Sequence, residues 1–193
     1  MKFDRLIIPA FVLFLISSCK QKETTPKEDF FPVLSFLKSQ VAKVDTSLNS
    51  IRKYVIVDSL TTDTLYIPRE QFRDIARDFL LIPDLSESKY KDRYVEEKIF
   101  DEMLNSVLLT YTPIKPEKEQ IQRQEVMIRP GPSEDKITNI IINLSVDTKD
   151  SSVQKRMLWK VDQGFQVTTT RQLAGQPETT RTEKVIWGEN EIE

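Results

Sequence analysis

The side chains that most often carry out protein chemistry are scarce in this chain. It holds no histidine and one cysteine, Cys19, in 193 residues. The commonest general base and the commonest imidazole metal ligand are therefore missing. Ser-His-Asp and Cys-His catalysis are excluded, as is His-ligated zinc. The four glycines, Gly131, Gly164, Gly175 and Gly188, each stand alone and build no phosphate-cradling loop. Carboxylate chemistry or a Ser-Lys pair is all that remains open to an enzyme. Acidic residues are adjacent at Glu96-Glu97, Asp101-Glu102 and Glu134-Asp135. Glycoside hydrolysis needs two carboxyl groups about 5–10 Å apart across a cleft, whereas neighbours in polar stretches read as solvated surface. Asp84, Glu87, Asp92 and Glu96 lack the alternating spacing and central glycine of a calcium loop. The expectation is a non-enzyme with no metal and no cofactor.

Trp159 and Trp187 are the other residues singled out. Both share the parity of their apolar neighbours, so they either anchor a core or, if the sheet carrying them leaves its interior unfilled, line an apolar cavity. Periodicity does not separate these two.

The elements that position them follow from apolar spacing. Phe30, Leu34, Leu37, Val41 and Val44 recur every three or four residues and predict a helix, with Pro32 tolerated in its first turn. Ile51 to Val57 is β-branched and aromatic and predicts a strand. Residues 58–63 read as a turn, with Thr64 to Ile67 pairing back. Pro68 then opens a second helix carrying Phe72, Ile75, Ala76, Phe79 and Leu80, ended by Pro83. Residues 86–97 are polar and read as a loop or a weak helical turn. Residues 100–112 finish in a strand, VLLTYT. From Arg123 onward the chain alternates apolar and polar residues in successive strands, with turns at Asp162-Gln163-Gly164 and Ala174-Gly175-Gln176-Pro177. Period-two patterning with one wet face marks an antiparallel sheet, and a glycine at 164 suits a left-handed position.

The predicted fold is α+β: a curved antiparallel meander of six or more strands packed against one or two helices, with a closed lipocalin-like barrel as the alternative. The sketch resembles the half-barrel of the LolA/LolB lipoprotein carriers in architecture only.

The beginning of the chain carries an address. Met1 to Arg5 is a short charged lead, Leu6 to Ile16 an apolar run broken by Pro9, and Ser17-Ser18 precede Cys19. That order is a secretory signal whose apolar core is too short to span a bilayer. It resembles the lipobox of bacterial lipoproteins, which implies cleavage before Cys19 and a lipid on that residue. Residues 1–18 are then the signal peptide, 19–29 the lipidated cysteine and a polar tether, and 30–193 a single domain. With Lys20 rather than Asp after the cysteine, the resemblance implies the outer membrane of a bacterial cell envelope, with the domain facing either the periplasm or the exterior. Together with QRQEVMIRP (122–130) and VQKRMLWKVDQGFQV (153–167), the lipobox resembles uncharacterised lipoproteins of Bacteroidota, a resemblance that carries no known active site. Asp58-Ser59-Leu60 and Asp63-Thr64-Leu65 resemble the O-glycosylation acceptor of that group, which implies glycans on Ser59 and Thr64 in the predicted turn.

A net charge of −2 without a block of like charge argues against nucleic acid as a partner. The expected function is a lipid-anchored envelope protein that binds an apolar ligand or an envelope partner. The alternatives are an accessory subunit of an outer-membrane assembly and, further off, a carboxylate-based glycan hydrolase.

Overall fold

The computed structural model describes residues 29–57 and 61–188. Its frame is one antiparallel sheet of nine strands. These are β1 (Ile51–Val57), β2 (Thr61–Ile67), β3 (Tyr94–Asp101), β4 (Ser106–Pro113), β5 (Ile121–Arg129), β6 (Lys136–Asp147), β7 (Ser151–Lys160), β8 (Gly164–Leu173) and β9 (Thr179–Ile186). Helices are few and short: α1 (Val33–Thr46), α2 (Phe72–Ile75) and α3 (Arg77–Leu80), with 3-10 turns at Arg69–Gln71, Ser88–Tyr90 and Pro116–Lys118. The α+β expectation holds in this coarse sense, and strands dominate.

The strand order is β2-β1-β9-β8-β7-β6-β5-β4-β3. From β3 to β9 each strand pairs with the next in sequence, and β9 returns to pair with β1, Lys53 opposite Val185. The segment between β2 and β3 therefore carries the chain from one margin of the sheet to the other. Because β2 and β3 are the two margins, the sheet is open, and the closed-barrel alternative does not describe it.

Alternation gives the sheet two unlike faces. One carries Ile140, Ile142, Met157, Trp159, Phe165, Val167 and Val185, all in the buried cluster. The other carries Asn143, Ser145, Gln154, Arg156, Thr168 and Thr182. The packed face receives the helices. Phe30, Val33, Leu37, Val41 and Val44 of the first helical segment are buried there, as are Phe72, Ala76, Phe79 and Ile82 of the crossing segment. In α1 the buried stripe runs through Val33 and Gln40 as well, while Leu34 is half-buried.

Four details differ from the sequence expectation. The second helix is broken, because Ala76 has ψ near 3° and separates α2 from α3. Helices this short draw their stability from tertiary contact rather than propensity, and Phe72 and Phe79 on either side of the break both reach the sheet. Residues 94–101 form β3 rather than a loop. β2 begins at Thr61, so Thr64 lies mid-strand opposite Tyr54 rather than in a turn. In the β7–β8 turn the left-handed residue is Asp162 (φ 60°), and Gly164 opens β8 in an ordinary conformation. Gly175, by contrast, does take a positive φ of 73° in the next turn.

Candidate functional site

The tryptophans lie in the filled interior. Trp159 on β7 stacks on Phe165 of β8 at 5.4 Å, and it meets Phe79 of α3 edge-on at 5.1 Å. Trp187, just past β9 and 5% exposed, meets Phe72 of α2 edge-on at 5.1 Å and Trp159 at 5.2 Å. Edge-to-face and offset contacts at these distances are the favourable aromatic geometries. Side chains of α2 and α3 thus fill the space that an apolar ligand would need. Two polar groups are sealed in this interior without a partner. The Trp159 Nε1 is buried and bonds to no protein acceptor, and the amide of Gln124, 0% exposed, bonds to nothing through either end. Each such group costs roughly 1–3 kcal/mol of desolvation, so this core is not optimised for stability alone.

The acidic pairs do not make a catalytic cleft. Neighbours on a strand point to opposite faces: Glu96 turns to the packed face, where it accepts a hydrogen bond from the Tyr111 hydroxyl at 3.1 Å, and Glu97 turns to the other. Asp101 accepts a bond from the Leu104 amide in the β3–β4 turn, and Glu134-Asp135 sit in the exposed β5–β6 connection. Asp84 is engaged locally by the Ser86 hydroxyl at 2.7 Å. Among the described residues no three of Asp, Glu, His and Cys gather as a metal site, and no helix is long and apolar enough to cross a membrane. Thr64 is exposed on the margin strand β2, whereas Cys19 and Ser59 lie outside the described residues.

At the start of the described residues, a polar network fixes the first descent into the core. Phe30 packs on Tyr111 of β4 at 5.0 Å, and the Phe31 amide donates to the Tyr111 hydroxyl at 3.1 Å. Nearby, the Tyr94 hydroxyl donates to the Ile121 carbonyl at 3.1 Å, and Glu119 takes a two-pronged bond from Arg93 at 2.6 and 2.7 Å. Burial pushes the Tyr94 phenol well above its ordinary pKa, and the charge of Glu119 pushes it further. Burial does the same to Tyr111; the Phe31 amide, next in size, pulls the other way, and Glu96 adds to the rise. Both phenols stay protonated as hydrogen-bond donors. This network is structural.

Two open clefts lie near the same end of the sheet. The larger, about 720 Å³, runs over Asn143, Ser145, Gln154, Arg156, Thr168 and Thr170 on the polar face, with Pro116 and Glu117 as its wall. It has no aromatic platform and no facing carboxylates. The smaller, about 490 Å³, includes Lys155, Arg171 and Arg181, but Lys155 is paired with Asp78 and Arg181 with Glu183, both at 2.7 Å. Neither cleft concentrates an unsatisfied charge.

Both margins expose apolar residues, Leu65 and Tyr66 on β2 and a longer run on β3. Val95, Ile99 and Phe100 are each about half exposed, and beyond them Leu104 is half exposed and Met103 97% exposed. The turn that holds them is well formed. The Leu104 amide donates to Asp101 Oδ1 at 3.0 Å, the Asn105 amide donates to the Glu102 carbonyl, and Asn105 takes the left-handed conformation its short polar side chain tolerates (φ 45°). The apolar tip is therefore held outward. Exposed apolar residues scattered singly need no explanation; here several follow one another along one strand and its turn, Val95 and Ile99 on one face of β3 and Phe100 on the other. The sequence reading passed over this stretch because Glu96, Glu97, Lys98, Asp101 and Glu102 hide its apolar residues in a polar average. The available signal was the run Ile99-Phe100 followed by Met103-Leu104.

Comparison with known proteins adds no assignment: no family model matches the chain, and no curated protein or solved structure matches it.

Proposed function

We propose that the protein is a non-catalytic, lipid-anchored component of a bacterial outer membrane that docks a protein partner along β3 and the β3–β4 turn. The observation that carries this reading is the contrast between a filled interior, where Phe72 and Phe79 cover both tryptophans, and a strand margin whose apolar residues have no cover. A filled interior with an exposed apolar margin supports a partner-binding subunit over a carrier of apolar ligands. The lipobox around Cys19 supports the address, and the polar stretch after it supplies a tether that would leave β3 free to meet a partner. The absence of histidine, together with the divergence of Glu96 and Glu97, supports a role without catalysis.

The test is site-specific photo-crosslinking in intact cells. A photoreactive residue at Ile99 is expected to give one discrete protein adduct, and the same residue at Leu48, which is 97% exposed but isolated, none. The same faint ladder from both positions would remove the reading. The address is tested separately: Cys19→Ala is expected to move the protein out of the membrane fraction, and unchanged membrane retention would count against lipidation.

A further inference from the structure

The backbone of β3 sets how another strand can join it. Tyr94 stands opposite Pro113 and Asp101 opposite Ser106, and the Ile114 amide donates to the Arg93 carbonyl at 2.8 Å. Arg93 thus turns its carbonyl toward β4, while its amide donates to the Tyr90 carbonyl. By alternation residues 95, 97, 99 and 101 turn their backbone groups toward β4, and residues 94, 96, 98 and 100 point theirs at the open margin. β3 is a strand of eight residues with one edge unpaired among the described residues and neither proline nor glycine in it. Strands left this way are templates for pairing.

If the incoming strand is antiparallel β3 of a second copy, related by a two-fold axis, directly opposed residues must lie on the same face. That allows only registers in which both residue numbers are even or both odd. Centring the axis on Glu97 opposes Val95 to Ile99, Glu96 to Lys98 and Tyr94 to Phe100, each twice by symmetry. Apolar meets apolar and acid meets base, the pairings that stabilise neighbouring strands, while Tyr94 stays buried in its own chain with its hydroxyl on the Ile121 carbonyl. Centring on Glu96 instead opposes Glu96 to itself, Val95 to Glu97 and Tyr94 to Lys98. Centring on Lys98 opposes two lysines, Glu97 to Ile99 and Glu96 to Phe100. Sliding to Ile99 puts Glu97 against Asp101. An axis at Val95 opposes Val95 to itself and Arg93 to Glu97, but Arg93 is already held by Glu119 and Tyr94 falls against Glu96; of these registers the one at Glu97 matches best.

We propose that the partner on this margin is a second copy of the same chain, joined β3 to β3 about an axis at Glu97 so that two nine-stranded sheets become one. The inference rests on the reading of β3 as the docking margin. It accounts for the exposed Val95, Ile99 and Phe100 together with the charges between them. The one unfavourable contact is Glu97 against its own copy, a like-charge pair that weakens the association. Anchoring both copies in one membrane raises their effective concentration toward the range that short tethers give, about millimolar.

The experiment measures self-association of the full-length protein in detergent by sedimentation. The wild type is expected to dimerise. Lys98→Glu and Glu96→Lys, each alone, create two like-charge contacts and are expected to weaken the dimer about tenfold or more. An equimolar mixture of the two variants restores both acid–base contacts and is expected to recover the dimer, which misfolding cannot mimic. Glu97→Gln removes the repulsion at the axis and is expected to tighten it. Because Glu96 also accepts from Tyr111, a second route avoids that residue: Glu97→Cys, at a close non-hydrogen-bonded position that suits disulfide geometry, should oxidise to a symmetric dimer much faster than Thr64→Cys on the other margin. A wild type that stays monomeric at about 1 mM overturns the proposal. So does a mixture that stays monomeric, or equal oxidation at positions 97 and 64. A photo-adduct at Ile99 to a different protein, with no self-adduct, would overturn this proposal alone and leave the docking reading of β3 standing.

Discussion

The packed face of the sheet behaves differently at its two sides. Under α2 and α3, Trp159, Phe165 and Trp187 lie with Phe72 and Phe79 in contacts of 5.1–6.2 Å, sealed from water. At β3 the same face ends in Lys98 and Phe100, open to solvent. β7 and β8 pair on both sides and β3 on one, and the cover differs as well. The crossing segment places its phenylalanines over β7, β8 and Trp187, then runs to Tyr94 without laying another helix on the margin. Whether an apolar side chain becomes core or contact surface is decided here by where that segment lies, not by the side chain itself.

The largest effect that probes this contrast is removal of a covering ring. Phe79→Ala strips the edge-on cover from Trp159 and is expected to cost about 3–5 kcal/mol of unfolding free energy in urea titration. A loss below about 1 kcal/mol would mean that the cluster is not tightly packed. The two phenols beside Phe30 and Glu119, Tyr111 and Tyr94, come next. Their folded pKa values are raised above the unfolded value of about 10. The folded state therefore holds their protons more tightly. Their contribution is complete below about pH 10 and is lost as pH rises toward the folded values. A Tyr94→Phe/Tyr111→Phe double variant is expected to lose stability less steeply than wild type between about pH 9 and 11; parallel curves would refute the assignment. A smaller change of opposite sign is expected for Gln124→Leu, which replaces a sealed, unpartnered amide with an apolar side chain and should stabilise by about 1 kcal/mol. A clear loss would point to a bound water or other partner on that amide. Smallest of all, Phe100→Ser on the uncovered side should change stability by less than about 0.5 kcal/mol while weakening association through β3. A large stability loss there would erase the distinction between the two sides.

Much of this architecture was legible in the chain. Alternation along residues 123–187 gave the strands from β5 to β9, IRKYVIV gave β1, and the three-and-four spacing of Phe30 to Val44 gave α1. These are local signals, and each segment has one wet face to keep its period visible. β3 was lost because a margin strand faces water on most of its surface, so Glu96-Glu97-Lys98 replace the apolar alternation that betrays an inner strand. The return of β9 to β1 pairs residues more than a hundred positions apart, which no local pattern records. The same holds for the filling of the interior: Trp159 and Trp187 showed the parity of a packed face, but whether that face is filled depends on where Phe72 and Phe79 fall in space. The self-complementary pattern on β3 is plain in the letters once the strand and its open edge are known.

The account stands on the interior being filled, and native mass spectrometry tests that directly. Residues 20–193, exported to a bacterial periplasm and purified without detergent, are expected to fly at the mass of the bare chain and its multiples, with no small molecule attached. A reproducible extra mass that is shed on denaturation and proves to be a lipid or other apolar compound would contradict it, placing a ligand where the structure has Phe72 and Phe79 against the tryptophans.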